Sequence, residues 1–203
     1  MRLLLLALGA LAGFVLPVFA EPAIPRIAIQ PLGKVAPDVI QIIMHDLKAL
    51  YRVEIEVLPM RELPASAYYK PRARYRAEKL LDSLEKETPS KFSKVIGITA
   101  SDISTTKEDI FDWGIFGLGQ ISGRPCVVST FRLSRGVPRA KMLLRTGDVA
   151  GHEVGHTLGL QHCASPRCMM NDAEGKIQSV DESTRRPCET CRRLLGDLAR
   201  DQF

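Results

Sequence analysis

Three histidines and a glutamate fall within eleven residues, His152-Glu153-Val-Gly-His156-Thr-Leu-Gly159-Leu-Gln-His162. Four positions apart on a helix, His152 and His156 project from one face, a turn above one another. Glu153 lies beside the first of them, where its carboxylate can reach a metal-bound water. A third ligand cannot come from the next turn of a straight helix without crowding the first two. Gly159 removes that obstacle, because glycine accepts the left-handed conformation that ends a helix sharply, and the returning chain delivers His162. Three imidazoles with a fourth position open describe a catalytic zinc site rather than a closed structural one. Zinc would lower the pKa of bound water to about 7 and polarise a scissile carbonyl. Glu153 would act as general base and pass the proton to the leaving amine.

A second set of metal-ligating side chains follows directly: Cys163, Cys168, Cys188 and Cys191. Two close pairs brought together across a loop satisfy a tetrahedral zinc site with four thiolate ligands. The same four cysteines could instead form disulfides in an oxidising compartment. Cys126 stands apart in a strand-like stretch, a buried apolar residue in the simplest reading and an odd free thiol in the other.

Taken together, His152-Glu153-x2-His156-x2-Gly159-x2-His162-Cys163-x4-Cys168-x-Met170-x17-Cys188-x2-Cys191 resembles the full signature of the archaemetzincins. The upstream stretches Ile96-Gly97-Ile98-Thr99 and Phe116-Gly117-Leu118 are similar to that family more loosely. The resemblance implies a catalytic zinc on the histidines, a structural zinc on the cysteines, and Met170 as the methionine of the turn beneath the catalytic metal, with Met169 its neighbour. It implies an α/β (α+β) metzincin-like fold: a mixed twisted sheet, an active-site helix and a small zinc-bound C-terminal subdomain. It also suggests that Gly117 to Gln120 belong to an edge holding extended peptide substrates.

The elements that must position these groups can be read from periodicity. Strands are predicted at 26–31, 52–58 and 94–99, and a helix with one apolar face at 37–51. A proline-bearing loop at 59–71 leads into a charged helix over 73–87. Two further strands are predicted at 111–118 and 126–133, separated by a turn-rich stretch. Pro138 suits the first turn of the long helix carrying the histidines. Gly147 and Gly151 weaken that helix, with a break near Gly147 and Asp148 as a fresh N-cap. The end of the chain reads as metal-rich and loop-like.

The first twenty residues read as a signal peptide: a basic start at Arg2, an apolar run over Leu3–Leu16, and a small-x-small site ending at Ala20. That run is too short to cross a bilayer, which takes about 20 residues. The expectation is therefore a secreted or periplasmic protein, without a stable membrane anchor, whose residues 21–203 form one metallopeptidase domain. Losing Arg2 lowers the formal net charge from +5 to +4, a mild balance. The densest basic patch, Lys70 to Arg76, carries no nucleic-acid motif and reads as a solvated loop or helix face. The expected partner is a peptide or protein substrate, with no nucleic acid, and the chain is expected to be a monomer. Glu153 favours an enzyme over a non-catalytic zinc or peptide-binding module that kept the ligands. The segment from Asn171 to Pro187 is expected to border the pocket beyond the scissile bond, its mixed charges declaring no preference.

Overall fold

The computed structural model describes residues 24–200; the signal-peptide reading of residues 1–20 lies outside them. A five-stranded sheet forms the centre, in the order β2-β1-β5-β9-β8. Its strands are β1 (Arg26–Leu32), β2 (Glu54–Val57), β5 (Lys94–Thr99), β9 (Pro125–Ser129) and β8 (Gly117–Gly119). The first four run parallel and β8 closes the edge antiparallel to β9. Helices α1 (Pro37–Leu50) and α4 (Arg139–Thr157) cover one face, and α2 (Ala77–Glu87) covers the other.

The two-residue period of the strands divides the core. Ile27, Ile29, Ile96, Ile98, Cys126 and Val128 point toward α1 and α4. Ala28, Leu32, Val95 and Val127 point toward α2. Strands buried on both faces lose polar alternation, which is why β1, β5 and β9 read as near-continuous apolar runs. Cys126 is 1% exposed, a core residue of β9. On the sheet edge, β2 buries little: Glu54, Glu56 and Val57 are exposed and only Ile55 is half-buried.

A second, four-stranded sheet in the order β3-β4-β6-β7 was not foreseen. It comprises β3 (Tyr68–Tyr69), β4 (Arg74–Arg76), β6 (Ile103–Lys107) and β7 (Ile110–Ile115). β6, Ile-Ser-Thr-Thr-Lys, is too polar to register as a strand. The predicted strand over 111–118 is two strands, because the chain leaves the small sheet at Phe116 and joins the large one as β8. The charged helix starts at Ala77, not 73, since β4 occupies the residues before it. Within the basic patch, Arg74 pairs with Asp102 at 2.8 Å and Asp112 at 2.7 Å, and Arg76 is buried, so this half is not a solvated face.

Thr130–Leu133 is a short helix, α3, where a strand was predicted to continue. Ser129 caps it, its hydroxyl accepting from the Phe131 amide at 3.2 Å. The end of the chain is more helical than expected, with α5 (Ile177–Glu182) and α6 (Glu189–Leu195).

The long helix α4 runs unbroken through Gly147. Its glycines are there for close approach. A Cβ on Gly147 would meet Asp46, one on Gly151 would lie 2.6 Å from Leu50, and one on Gly155 would lie 2.9 Å from the Tyr51 hydroxyl. Spaced by four, the three make a smooth stripe against which the end of α1 packs. Tyr51, fully buried, donates a hydrogen bond to the Gly151 carbonyl at 2.7 Å. Packing that fixes α4 outweighs the helix-weakening tendency of glycine, about 1 kcal/mol per residue.

Candidate metallopeptidase site

Helix α4 delivers His152, Glu153 and His156, and its end is built to return the chain. Gly159 has φ +103°, in the left-handed region. The Gly159 amide donates to the His156 carbonyl at 2.9 Å and the Leu160 amide to the Gly155 carbonyl at 3.0 Å. These two bonds form a Schellman turn. The turn aims the Leu160 carbonyl at His156, whose Nδ1 lies 2.8 Å from it. His152 Nδ1 lies 2.8 Å from the Met169 carbonyl.

Both carbonyls can only accept, so both Nδ1 atoms carry the proton and both Nε2 atoms present lone pairs. Those two Nε2 atoms lie 2.9 Å apart. Burial and the neighbouring His156 push His152 down to about 4, so protonation does not relieve the contact. Two lone pairs at that separation suit a shared cation. His162 completes the set: its ligand atom and those of His152 and His156 lie within 4.8 Å of one another. It is half-exposed, with Asp172 3.5 Å from its Nδ1.

Glu153 is buried against the β8 edge; a Cβ on Gly117 would lie 2.6 Å from its side chain. Only glycine leaves that room. Burial, then the Asp172 carboxylate, pushes Glu153 up to about 8, while the Gly119 backbone amide pulls the other way. A cavity of about 410 Å³ opens over these residues, lined by β7 and β8 on one side and by residues 171–183 on the other.

The four cysteines also converge. Cys163 and Cys188 Sγ lie 3.7 Å apart and Cys168 and Cys191 Sγ 3.8 Å apart. A tetrahedron with zinc–sulfur bonds of about 2.3 Å has edges of about 3.8 Å, whereas a disulfide needs about 2.05 Å. The spacing fits zinc and excludes disulfides in this arrangement. Cys188 stands at the N-cap position of α6, where the helix N-terminus favours a thiolate. The two clusters touch through the chain between them. The Cys163 amide donates to the Met170 carbonyl at 2.8 Å, and the adjacent Met169 carbonyl holds His152.

Both methionines are buried, Met169 against Gly151 and Met170 against Gly155, each glycine preceding a histidine of α4. All sequence-predicted site residues thus lie in one region. The carbonyls of Leu160 and Met169, Asp172 beside His162, and Tyr51 also belong to the site and carry no sequence motif. The one signal the sequence holds for such close packing on α4 is the glycine spacing, Gly147, Gly151 and Gly155, of which the first two read as helix-weakening.

The profile of Peptidase family M54 matches residues 38–197. An archaemetzincin of Halobacterium salinarum is 32% identical over 178 residues, covering 84% of this chain and 99% of the relative. The crystal structure of an archaemetzincin from Methanopyrus kandleri superposes with TM-score 0.72 at 28% identity, covering 88% of this chain and 97% of that one. An archaemetzincin from Archaeoglobus fulgidus, solved in complex with malonate, gives TM-score 0.69 at 29% identity, covering 82% and 97%. This chain belongs to Peptidase family M54 and, like its archaemetzincin relatives, is a zinc metallopeptidase.

Proposed function

We propose that residues 21–203 form an exported peptidase domain that hydrolyses peptide bonds outside the cytoplasm, with Glu153 as its general base. The observation that carries the hydrolytic part is the convergence of three imidazoles beside a buried carboxylate, at the floor of an open cavity. His152, His156 and His162 would hold the catalytic zinc; Cys163, Cys168, Cys188 and Cys191 would hold the structural one. Bound at the histidines, zinc supplies a Lewis acid and lowers the pKa of water at the site.

The chain's own groups do the rest. The carbonyls of Met169 and Leu160 keep two imidazoles oriented with Nε2 toward the cavity. The Glu153 carboxylate takes a proton from the attacking water and returns it to the leaving amine. Burial raises its pKa and makes it a stronger base, while a divalent cation nearby would oppose that rise. Met170 underlies this arrangement as the turn methionine, and Gly159 sets the return of His162.

β8 supplies an edge for an extended substrate. The Phe116 carbonyl and Gln120 amide bond toward β9. By the alternation of an antiparallel strand, Gly117 and Gly119 turn their backbone groups away from β9, the Gly119 amide toward Glu153. Export rests on the N-terminal pattern of residues 1–20. No helix among the described residues is long and apolar enough to cross a membrane. We take the unit to be a monomer acting on peptides or proteins rather than nucleic acid.

Mass-spectrometric mapping of a peptide library tests hydrolysis. Cleavage should stop on zinc chelation and return with zinc; cleavage indifferent to chelation would refute the proposal. Export is tested separately by sequencing the amino terminus of protein recovered outside the cytoplasm, which should begin at Glu21.

A further inference from the structure

The cavity does not end at the imidazoles. It continues past His152 along α4 to Val149 and Asp148, faced there by Val180 and Ser183 of the 177–183 segment. Val149 and Val180 give this end apolar surface beside Ser179 and Ser183, and Asp148 stands among them, 6% exposed. The Ser183 hydroxyl donates to its Oδ1 at 3.1 Å, the one hydrogen bond that the carboxylate receives from a described side chain. Arg185 acts on Asp148 from nearby, but it is ion-paired with Asp46, so with Asp148 ionised these three groups sum to one negative charge. Elsewhere in the lining, Asp172 and Glu174 outnumber Lys107.

A buried carboxylate without its own cation is costly to keep. Burial, opposed by the Ser183 hydroxyl and Arg185, holds the Asp148 carboxyl up at about 7. A site with apolar walls and a carboxylate among them matches one kind of side chain: a long apolar stem ending in a cation. We propose that this cavity selects substrates with Lys or Arg next to the scissile bond, the stem lying along Val149 and Val180 and the charged head meeting Asp148 and the Ser183 hydroxyl. The inference rests on the peptidase reading and adds the substrate class. Asp148 is here a specificity-determining residue, remote from the bond that breaks.

Two measurements on the zinc-loaded full chain test it. In the first, a library randomised on both sides of the cleaved bond should show Lys and Arg enriched at one flanking position. Asp148→Asn should then lower the kcat/KM ratio of a Lys peptide to its norleucine counterpart by about tenfold to hundredfold, the worth of a charge-assisted contact. An apolar preference in the wild type, or an unchanged ratio in the variant, would overturn the proposal.

In the second, calorimetry on zinc-loaded Glu153→Gln should show tighter binding of a pentapeptide with central Lys than of the same peptide with norleucine. Tighter Lys binding without hydrolysis by the wild type would uphold the cavity assignment while defeating the peptidase reading. Hydrolysis with equal binding would defeat the cavity assignment alone.

Discussion

The histidine and cysteine clusters sit side by side and solve opposite problems. The histidines hang on a rigid support: α4 is buried along most of its length and held by α1 through a glycine stripe. Their rings are aimed by carbonyls, and one side stays open to a cavity. The cysteines come from loops and from the first turn of a seven-residue helix, in a segment with few buried apolar residues of its own. Such a segment gains order from a metal rather than from a core. The difference separates two uses of zinc in one small fold: the scaffold makes the first site, and the second site makes its own scaffold. Because Met169 and Met170 join them, the first is expected to depend on the second.

That dependence predicts an asymmetry. Cys191→Ser should cost the most. It removes the cysteine-bound zinc, lowers the melting temperature by about 10 °C or more, and weakens zinc at the histidines as well, because the Met169 carbonyl loses its anchor. His156→Ala should remove one zinc and leave the other in place with a small change in melting temperature. Metal analysis with thermal unfolding reads both. If histidine-bound zinc survives unchanged in Cys191→Ser, the two clusters are independent and the comparison fails.

Gly155→Ala probes the rigid side. Its Cβ would lie 2.7 Å from Met170 Sδ and 2.9 Å from the Tyr51 hydroxyl. Overpacking of this kind costs about 1–3 kcal/mol. Denaturant unfolding should show that loss, with zinc at the cysteines retained. No loss of stability would mean that α4 is not held as described.

A smaller effect comes from the ion pair tying α5 to α4. Arg145 binds Asp181 in a fork, at 2.8 and 2.7 Å. Hydrogen bonds from Arg145 hold the Asp181 carboxyl down at about 2, against an ordinary 3.8. A depressed carboxyl stabilises the fold above its unfolded pKa and loses that contribution as pH falls through the folded one. Asp181→Asn should therefore cost about 1 kcal/mol at neutral pH, given partial exposure. The gap to wild type should shrink below pH ~4 and close near pH ~2. A gap independent of pH would assign the effect to packing.

What could be read from the sequence follows from where the information sits. The metal ligands were legible because their spacing maps directly onto helix geometry, and the parallel strands because burial on both faces makes apolar runs. β6 was hidden by its serine and threonine residues, whose strand character depends on pairing with β4 and β7. Arg74 and Arg76 looked solvated because their partners, Asp102, Asp112 and Thr106, are distant in sequence. Gly147 and Gly151 looked like breaks, since the close approach of α1 that requires them is invisible along one chain. Asp148 read as a helix cap and lies instead within α4, in the cavity lining.

A working hydrolytic site at the histidines, supported by the cysteine cluster, needs both metals and the Glu153 carboxylate. Zinc content and peptide turnover, measured together on the wild type and on Glu153→Ala, test it most directly. Both proteins should carry two zinc ions per chain, with turnover falling at least about hundredfold in the variant. Two zinc ions with equal turnover in both would contradict it.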